Sequence, residues 1–428
     1  MKEPKLSRNP WSWVPTLYFA EGIPYFVVNV LSVTMFKRLG MSNGDLAMYT
    51  SLLYLPWVIK PLWSPFVDVI RTKRWWILAM QAVMTAGFAA VALSVSPDVF
   101  GLTLVFFYVM AFASATHDIA ADGYYMIALD ERNQSLFVGI RSTFYRIASV
   151  FGQGVIVVVA GLLEDGLGRI PPAWTLVLLG CSVMFAAVTL WHCLVLPKAE
   201  KSAAGTETLP EAGTQEKRTA SAVLRDFGRA WVTFFRKPGI WLAVVFMLLY
   251  RLPEAFSVKM LTPFMLDPVS EGGLGLSTAQ SGLVYGTVGV IALTLGGILG
   301  GIYAARYGLR RSLWPMSLSL ALPCAVYLIM ALMQPERLWF IYFCVAFDQF
   351  GYGFGFTAYM LYMMHFSEGE FKTSHYAICT AFMALSMMIP GIFAGWLQEA
   401  LGYVGFFIMV MICCIATVSV TWFARRRC

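Results

Sequence analysis

The sequence predicts an all-α membrane protein of twelve transmembrane helices, arranged as two pseudo-symmetric six-helix bundles. Three observations carry that prediction. Of the 428 residues, 59% are hydrophobic and 13% charged, against about 45–50% and about 25% in ordinary soluble domains. Apolar runs long enough to cross a hydrocarbon core of about 30 Å, roughly 20 helical residues each, recur along the whole chain. The second half of the chain also repeats features of the first at equivalent places.

In chain order the runs fall at 13–37, 46–69, 74–95, 101–127, 138–163, 173–195, 239–263, 278–304, 311–333, 337–364, 373–398 and 402–424. The first follows a basic start, but Glu21 and Pro24 interrupt it, so it reads as a retained span and not as a cleaved signal peptide. The second is preceded by MSNGDLAMYTSLLYLP and the eighth by LSTAQSGLVYGTVGVI, each a Ser cap leading into a small-residue helix. Basic turns, PFVDVIRTKR (65–74) and GGIYAARYGLRR (300–311), follow those two spans, and the fourth span carries His117-Asp118 where the tenth carries Asp348-Gln349. Residues 1–195 thus form one bundle and 239–428 the other. The segment 196–238 between them is polar and starts PKAEKSAAGTETLPEAGTQEKRTAS, a flexible cytoplasmic linker by composition. Its last part, SAVLRDFGRAWVTFF, fits an amphipathic helix on the inner membrane surface.

Lysine and arginine set the orientation. With the N-terminus inside, 23 of the 31 lie on the cytoplasmic side, and four (Lys37, Arg38, Arg169, Arg337) lie opposite. The rest, Lys60, Arg146, Arg251 and Lys259, fall within spans, so both termini are expected to be cytoplasmic. The net charge of +7 restates this bias and implies no nucleic-acid partner. The eight cysteines include no CxxC pair and none in an outer loop, so no disulfide, metal or cofactor framework is expected.

Counting about 1.5 Å of rise per residue from the inner ends places Asp118 at roughly 18 Å and Asp122 at roughly 12 Å depth. Glu21, Lys60, Arg146 and Arg251 fall in the same layer, Glu254 a turn deeper and Asp348 near the midplane. Ionisable residues from six helices at one depth imply paired charges lining a cavity, because a lone charge in hydrocarbon is expensive. Asp118 and Asp122, four apart, share a helix face, with Lys60 or Arg146 as the expected partner. Glu21, Asp348 and His117 are further proton-coupling candidates; a helix-packing role for His117 is equally compatible. Trp57, Trp63, Tyr124, Tyr125, Tyr250 and Gln349 are candidate substrate contacts, because rings beside hydrogen-bonding groups suit a sugar.

FAEGIPY (19–25), IKPLWSPFVD (59–68), ATHDIAADGYY (115–125), FYRIA (144–148), LLYRLPEAF (248–256), FDQFGYGFG (347–355) and FAGWLQEALGY (393–403) resemble the AmpG-type muropeptide permeases, together with the acetyl-CoA transporter family. Both belong to the major facilitator superfamily, and the two six-helix halves match its parallel repeat. The turn at 300–311 resembles that superfamily's G-xxx-D-R-x-G-R-R signature, with Ala305 in place of the acid and Leu309 in place of one arginine; the first turn has Ser64 in place of the glycine. Asp68, Arg71, Arg74, Arg306 and Arg310 are therefore read as a gate latch between helix ends.

The resemblance implies roles for Lys60, Asp118, Asp122, Arg146, Arg251 and Glu254. It departs at His117, where the permeases usually have Gln, and at Met387-Met388, where they have an Arg; two C-terminal spans that some of them carry are missing here. It implies import of a peptidoglycan-derived (anhydromuropeptide) or other oligosaccharide across a bacterial inner membrane by proton symport, with a monomer in the lipid bilayer as the expected state. The alternatives are a coenzyme A thioester or another organic anion, and remotely an intramembrane acyltransferase. His117 and Asp122 are five residues apart, about 140° round a helix, which does not bring a base and its orienting acid together.

Overall fold

The structure is a computed structural model that describes residues 9–198 and 220–426, with the side chains of Asp68, Val69, Glu131, Arg132, Ser135 and 220–224 outside the description. Nine of the described helices are long and apolar enough to cross a membrane. They become twelve spans for identifiable reasons. The second span is broken into Asn43–Leu52 and Leu55–Val69, with Pro56 in the first turn of the second piece. The tenth, Leu338–Phe366, has its apolar run diluted by Asp348, Gln349 and the glycines that follow. The helix Lys372–Arg425 is two spans joined where Gly402 takes φ 66°, a left-handed turn that glycine adopts freely.

The other spans are Pro10–Arg38, Lys73–Leu93, Phe100–Ala128, Ile170–Val195, Ile240–Leu266, Thr278–Tyr307 and Leu309–Met333, together with the fifth. That span runs from Glu131–Val150 through a wide turn to Ile156–Leu167. It begins seven residues before the expected 138, because Asp130 caps it by accepting from the Asn133 amide. Both expected serine caps form: Ser42 accepts from the Asp45 amide, and Ser277 makes a reciprocal capping box with Gln280. Leu93, Val183 and Trp241 are among the most exposed apolar side chains, as a lipid-facing surface requires. The end of the linker forms the helix Ala220–Phe235, which buries Ala230 and Phe234 against the start of span 11, where His375 contacts Thr233 Oγ1 at 3.1 Å.

The two bundles meet along two seams in which backbone touches backbone. A Cβ on Gly286 of span 8 would stand 1.9 Å from the Gln153 carbonyl of span 5, and one on Gly395 of span 11 would stand 1.8 Å from the Asn43 carbonyl of span 2. Small residues at crossings are how membrane helices approach this closely. Polar contacts between the halves gather at the ends remote from the termini, called outer here. Lys37 pairs with Asp267 at 2.5 Å, Thr278 donates to Glu164 at 2.6 Å, Asn43 donates to Gln398 at 2.7 Å, and the Gly44 amide donates to Glu399 at 2.7 Å. Toward the inner ends, span 5 stands away from spans 8 and 10 around a cavity of ≈ 720 Å³. The halves are therefore latched at the outer ends and leave a cavity between span 5 and spans 8 and 10 toward the inner ends.

Gly286→Ala and Gly395→Ala each overfill a seam that exists only while the outer side is closed, at about 1–3 kcal/mol for an overpacked contact. Distances between spin labels in the loops joining spans 1–2 and 7–8 should lengthen in both variants. An unchanged distance distribution would refute the assignment of these seams to one conformer.

Candidate functional site

The polar layer assembles as two groups, one in each half. In the first half the Lys60 ammonium of span 2 pairs with Asp118 of span 4. One turn further, Asp122 accepts from Arg141 of span 5 at 2.7 Å and from the Tyr18 hydroxyl of span 1 at 3.3 Å. The Arg141 guanidinium lies over the Tyr18 ring, 4.4 Å from its centre, and 5.2 Å from that of Tyr125, a cation–π arrangement. The Asp122 side chain is 42% exposed, so this pair borders open space instead of locking a dry interface. Glu21 is buried, and its Oε2 has no hydrogen-bond partner among the described residues.

In the second half, Arg251 occupies a break in span 7, with φ −103° and ψ 12° between Ile240–Leu249 and Leu252–Leu266. Pro253 and Glu254 open the new helix, where a carboxylate meets the positive end of the helix dipole. Glu254 takes two bonds from the Arg251 guanidinium at 2.8 and 3.1 Å, and Arg251 donates to the Tyr352 hydroxyl at 2.9 Å while facing the Phe356 ring at 4.8 Å. Asp348 accepts from Tyr327 at 2.5 Å and from Gln349 at 3.1 Å, buried between spans 9 and 10.

Several expectations are corrected by this geometry. Arg146 is not the partner of the span-4 acids: it lines the cavity with Tyr352, Phe356 and Thr357. Arg141, which the sequence puts among the cytoplasmic-side cations at the start of span 5, is the partner of Asp122, because the earlier start of that span carries it about 15 Å into the helix. His117 turns away from the acids into a buried chain in which Gln81 bridges it to His192 at 3.0 Å each, and His192 reaches Thr16 at 2.9 Å. Three tyrosine hydroxyls are engaged by backbone carbonyls: Tyr124 by Pro197 at 2.7 Å, Tyr125 by Gln134, and Tyr250 by Gly355 at 2.9 Å. Trp57 packs edge-on against Tyr25 at 5.1 Å, and Trp63 lies tilted against Phe112 at 5.6 Å.

The inner-turn residues stay within their own halves in the contacts described. Arg74 donates to the Leu196 and Cys193 carbonyls at 3.1 and 2.9 Å, and Arg71 lies over Trp75. Arg306 lies over Tyr307, and the Arg310 carbonyl accepts from Arg425 at 3.2 Å. The Asp68 side chain lies outside the described residues. The residues that do latch the halves, Lys37, Asn43, Glu164, Asp267, Thr278, Gln398 and Glu399, are at the opposite ends. Of these, only Lys37 stood out in the sequence, as one of four outer cations.

Glu254→Gln leaves the Arg251 guanidinium buried without its carboxylate, a loss of about 3–5 kcal/mol. The variant should unfold at lower temperature in detergent than Arg251→Met/Glu254→Met, in which neither charge remains. Equal melting temperatures would remove the pair from the account of stability.

A family model described as Major Facilitator Superfamily matches residues 16–374 and 252–427. The anhydromuropeptide permease of Escherichia coli (strain K12) is 26% identical over 399 residues, covering 92% of this chain and 75% of the permease. A putative transporter AmpG 4 of Rickettsia felis is 23% identical over 441 residues, covering 96% of this chain and 95% of its own. Among solved structures, a bacterial homolog to human lysosomal transporter Spinster superposes with TM-score 0.73 at 15% identity, covering 100% of this chain and 98% of that one. A POT family transporter in complex with 5-aminolevulinic acid gives TM-score 0.70 at 11% identity, with 96% and 94% covered. Both superpositions show the fold.

Proposed function

The chain belongs to the Major Facilitator Superfamily, and from that premise we propose that it imports a peptidoglycan-derived or other oligosaccharide by proton symport. It is a multi-pass membrane transporter of small molecules and not an enzyme. The reading places it in a bacterial inner membrane with both termini cytoplasmic, which the lysine and arginine bias supports. Similarity to a permease for anhydromuropeptides supports the saccharide.

One observation carries the proton coupling. Asp122 is held by a guanidinium and a phenol at the edge of open space, and Glu21 of span 1 is buried with its Oε2 lacking a hydrogen-bond partner among the described residues. An acid that exchanges a cationic partner for a proton can couple two states, because its charge is stabilised in one and not in the other. Asp118 on Lys60 is the second such pair. In this scheme the halves rock about the layer, the outer latch and seams close behind the solute, and the ≈ 720 Å³ cavity beside Arg146, Tyr352 and Phe356 releases it inward. A coenzyme A thioester or another organic anion is the second reading, favoured by the Arg146 guanidinium in that cavity.

The test is uptake of labelled anhydromuropeptide and a panel of neutral and acidic disaccharides into proteoliposomes, with and without an inward proton gradient. Asp122→Asn loses a charge-assisted contact, so gradient-driven accumulation should fall about 10- to 100-fold while exchange of solute without a gradient persists. Accumulation by the parent that an inward proton gradient does not raise would sink proton symport; transport of acyl thioesters and of no saccharide would replace the substrate.

A further inference from the structure

Lys259 of span 7 is a buried cation within the membrane layer that the scheme above leaves unused. It is 5% exposed, and among the described residues it has no carboxylate partner. Its ammonium donates to the Thr50 hydroxyl at 3.1 Å and stands 5.5 Å from the centre of the Tyr54 ring, both on span 2 of the opposite half. A neutral hydroxyl and a ring face compensate only part of the desolvation of an ammonium. Two more polar atoms nearby are unsatisfied: Asn29 Oδ1 of span 1, which lines the same void as Lys259, and Ser51 Oγ of span 2. That void, ≈ 10 Å³ between Asn29, Tyr54, Thr262, Tyr285 and Met387, is too small for any solute in this conformer.

The position explains why such a group is tolerated. Lys259 is eight residues outward of Arg251 and eight inward of the latch residue Asp267, about 12 Å from each along the helix. It therefore lies where spans 1 and 2 meet spans 7, 8 and 11, directly beneath the contacts that must part for the outer side to open. Parting them strips Thr50 and Tyr54 from Lys259 and turns the ammonium toward the entering solute.

We propose that Lys259 is an anion-binding residue of the outward-open carrier, which receives a carboxylate or phosphate group of the entering solute before the solute descends to the Arg251 and Lys60 layer. The proposal rests on the transport reading and narrows it: the oligosaccharide is acidic. An anion held there favours the outward-open state, since the closed state offers it no room.

The experiment compares KM for an acidic disaccharide and for its uncharged carboxamide in proteoliposomes containing the parent, Lys259→Gln or Lys259→Arg. Lys259→Gln should raise KM for the acid about tenfold, the equivalent of one lost charged contact, and leave the carboxamide unchanged; Lys259→Arg should retain most of the preference. Because Lys259→Gln removes an unpaired buried charge, it should melt no lower than the parent, which separates a binding defect from misfolding. Equal changes for both sugars, or none for the acid, would overturn the proposal. If the parent carries neither sugar, the saccharide reading fails separately. The anion site is then read from thermal stabilisation of the purified carrier by simple carboxylates and inorganic phosphate: present in the parent and lost in Lys259→Gln supports it, and its lack in the parent refutes it.

Discussion

A charge held in hydrocarbon must be answered by another charge or dipole, and in this chain that requirement decides which helices meet. Lys60 and Asp118 join spans 2 and 4; Arg141, Asp122 and Tyr18 join spans 5, 4 and 1. Arg251 with Glu254 ties the break in span 7 to Tyr352 of span 10, and Asp348 with Tyr327 ties span 10 to span 9. Each of these groups closes within its own half. The halves can therefore separate without exposing any of these pairs to hydrocarbon, which is what a rocking carrier needs.

The surfaces between the halves are built differently. At the crossings of span 5 with span 8 and of span 2 with span 11, glycines bring backbones together, and the attraction there is dispersion between close atoms. A gap of about 0.5–1 Å already forfeits a quarter to a half of that attraction, so the seams weaken quickly once they begin to part. Apart from the buried Lys259–Thr50 contact, the directional contacts described stand at the outer rim, where water is at hand to receive Lys37, Asp267, Asn43 and Glu164 when they let go. A strong interaction at the rim and a short-ranged one below it make a closure that is firm yet reversible.

The fold was legible because span length, hydropathy and the duplicated serine caps are local properties of the chain, and depth alone made Lys60 one of two expected partners of the span-4 acids. Depth is one coordinate of three. Arg146 shares a layer with the acids yet faces the cavity between the halves, since its azimuth around span 5 is fixed by packing that spacing does not reveal. Arg141 was hidden by a boundary: apolar runs mark where hydrocarbon begins, whereas the Asp130 cap starts the helix well before it. Tyr124 and Tyr250 look like sugar contacts in sequence, but their hydroxyls satisfy carbonyls at the ends or crossings of helices. The outer latch could not be read at all, because Asn43 and Gln398, or Thr278 and Glu164, become neighbours only when two separately folded bundles dock.

The seam glycines separate two qualities that are often measured as one. A residue inside either bundle contributes to folding in every conformer, so substitutions there reduce both the amount of protein and its turnover. At Gly286 and Gly395 the atoms nearest to an added Cβ belong to the opposite half, so a side chain at either strains the dividing surface before it strains its own bundle. Sequence variation sorted by abundance in the membrane would pass over these positions, while variation sorted by turnover would mark them. The residues on which the two maps disagree would trace the sliding surface of the carrier directly from genetics.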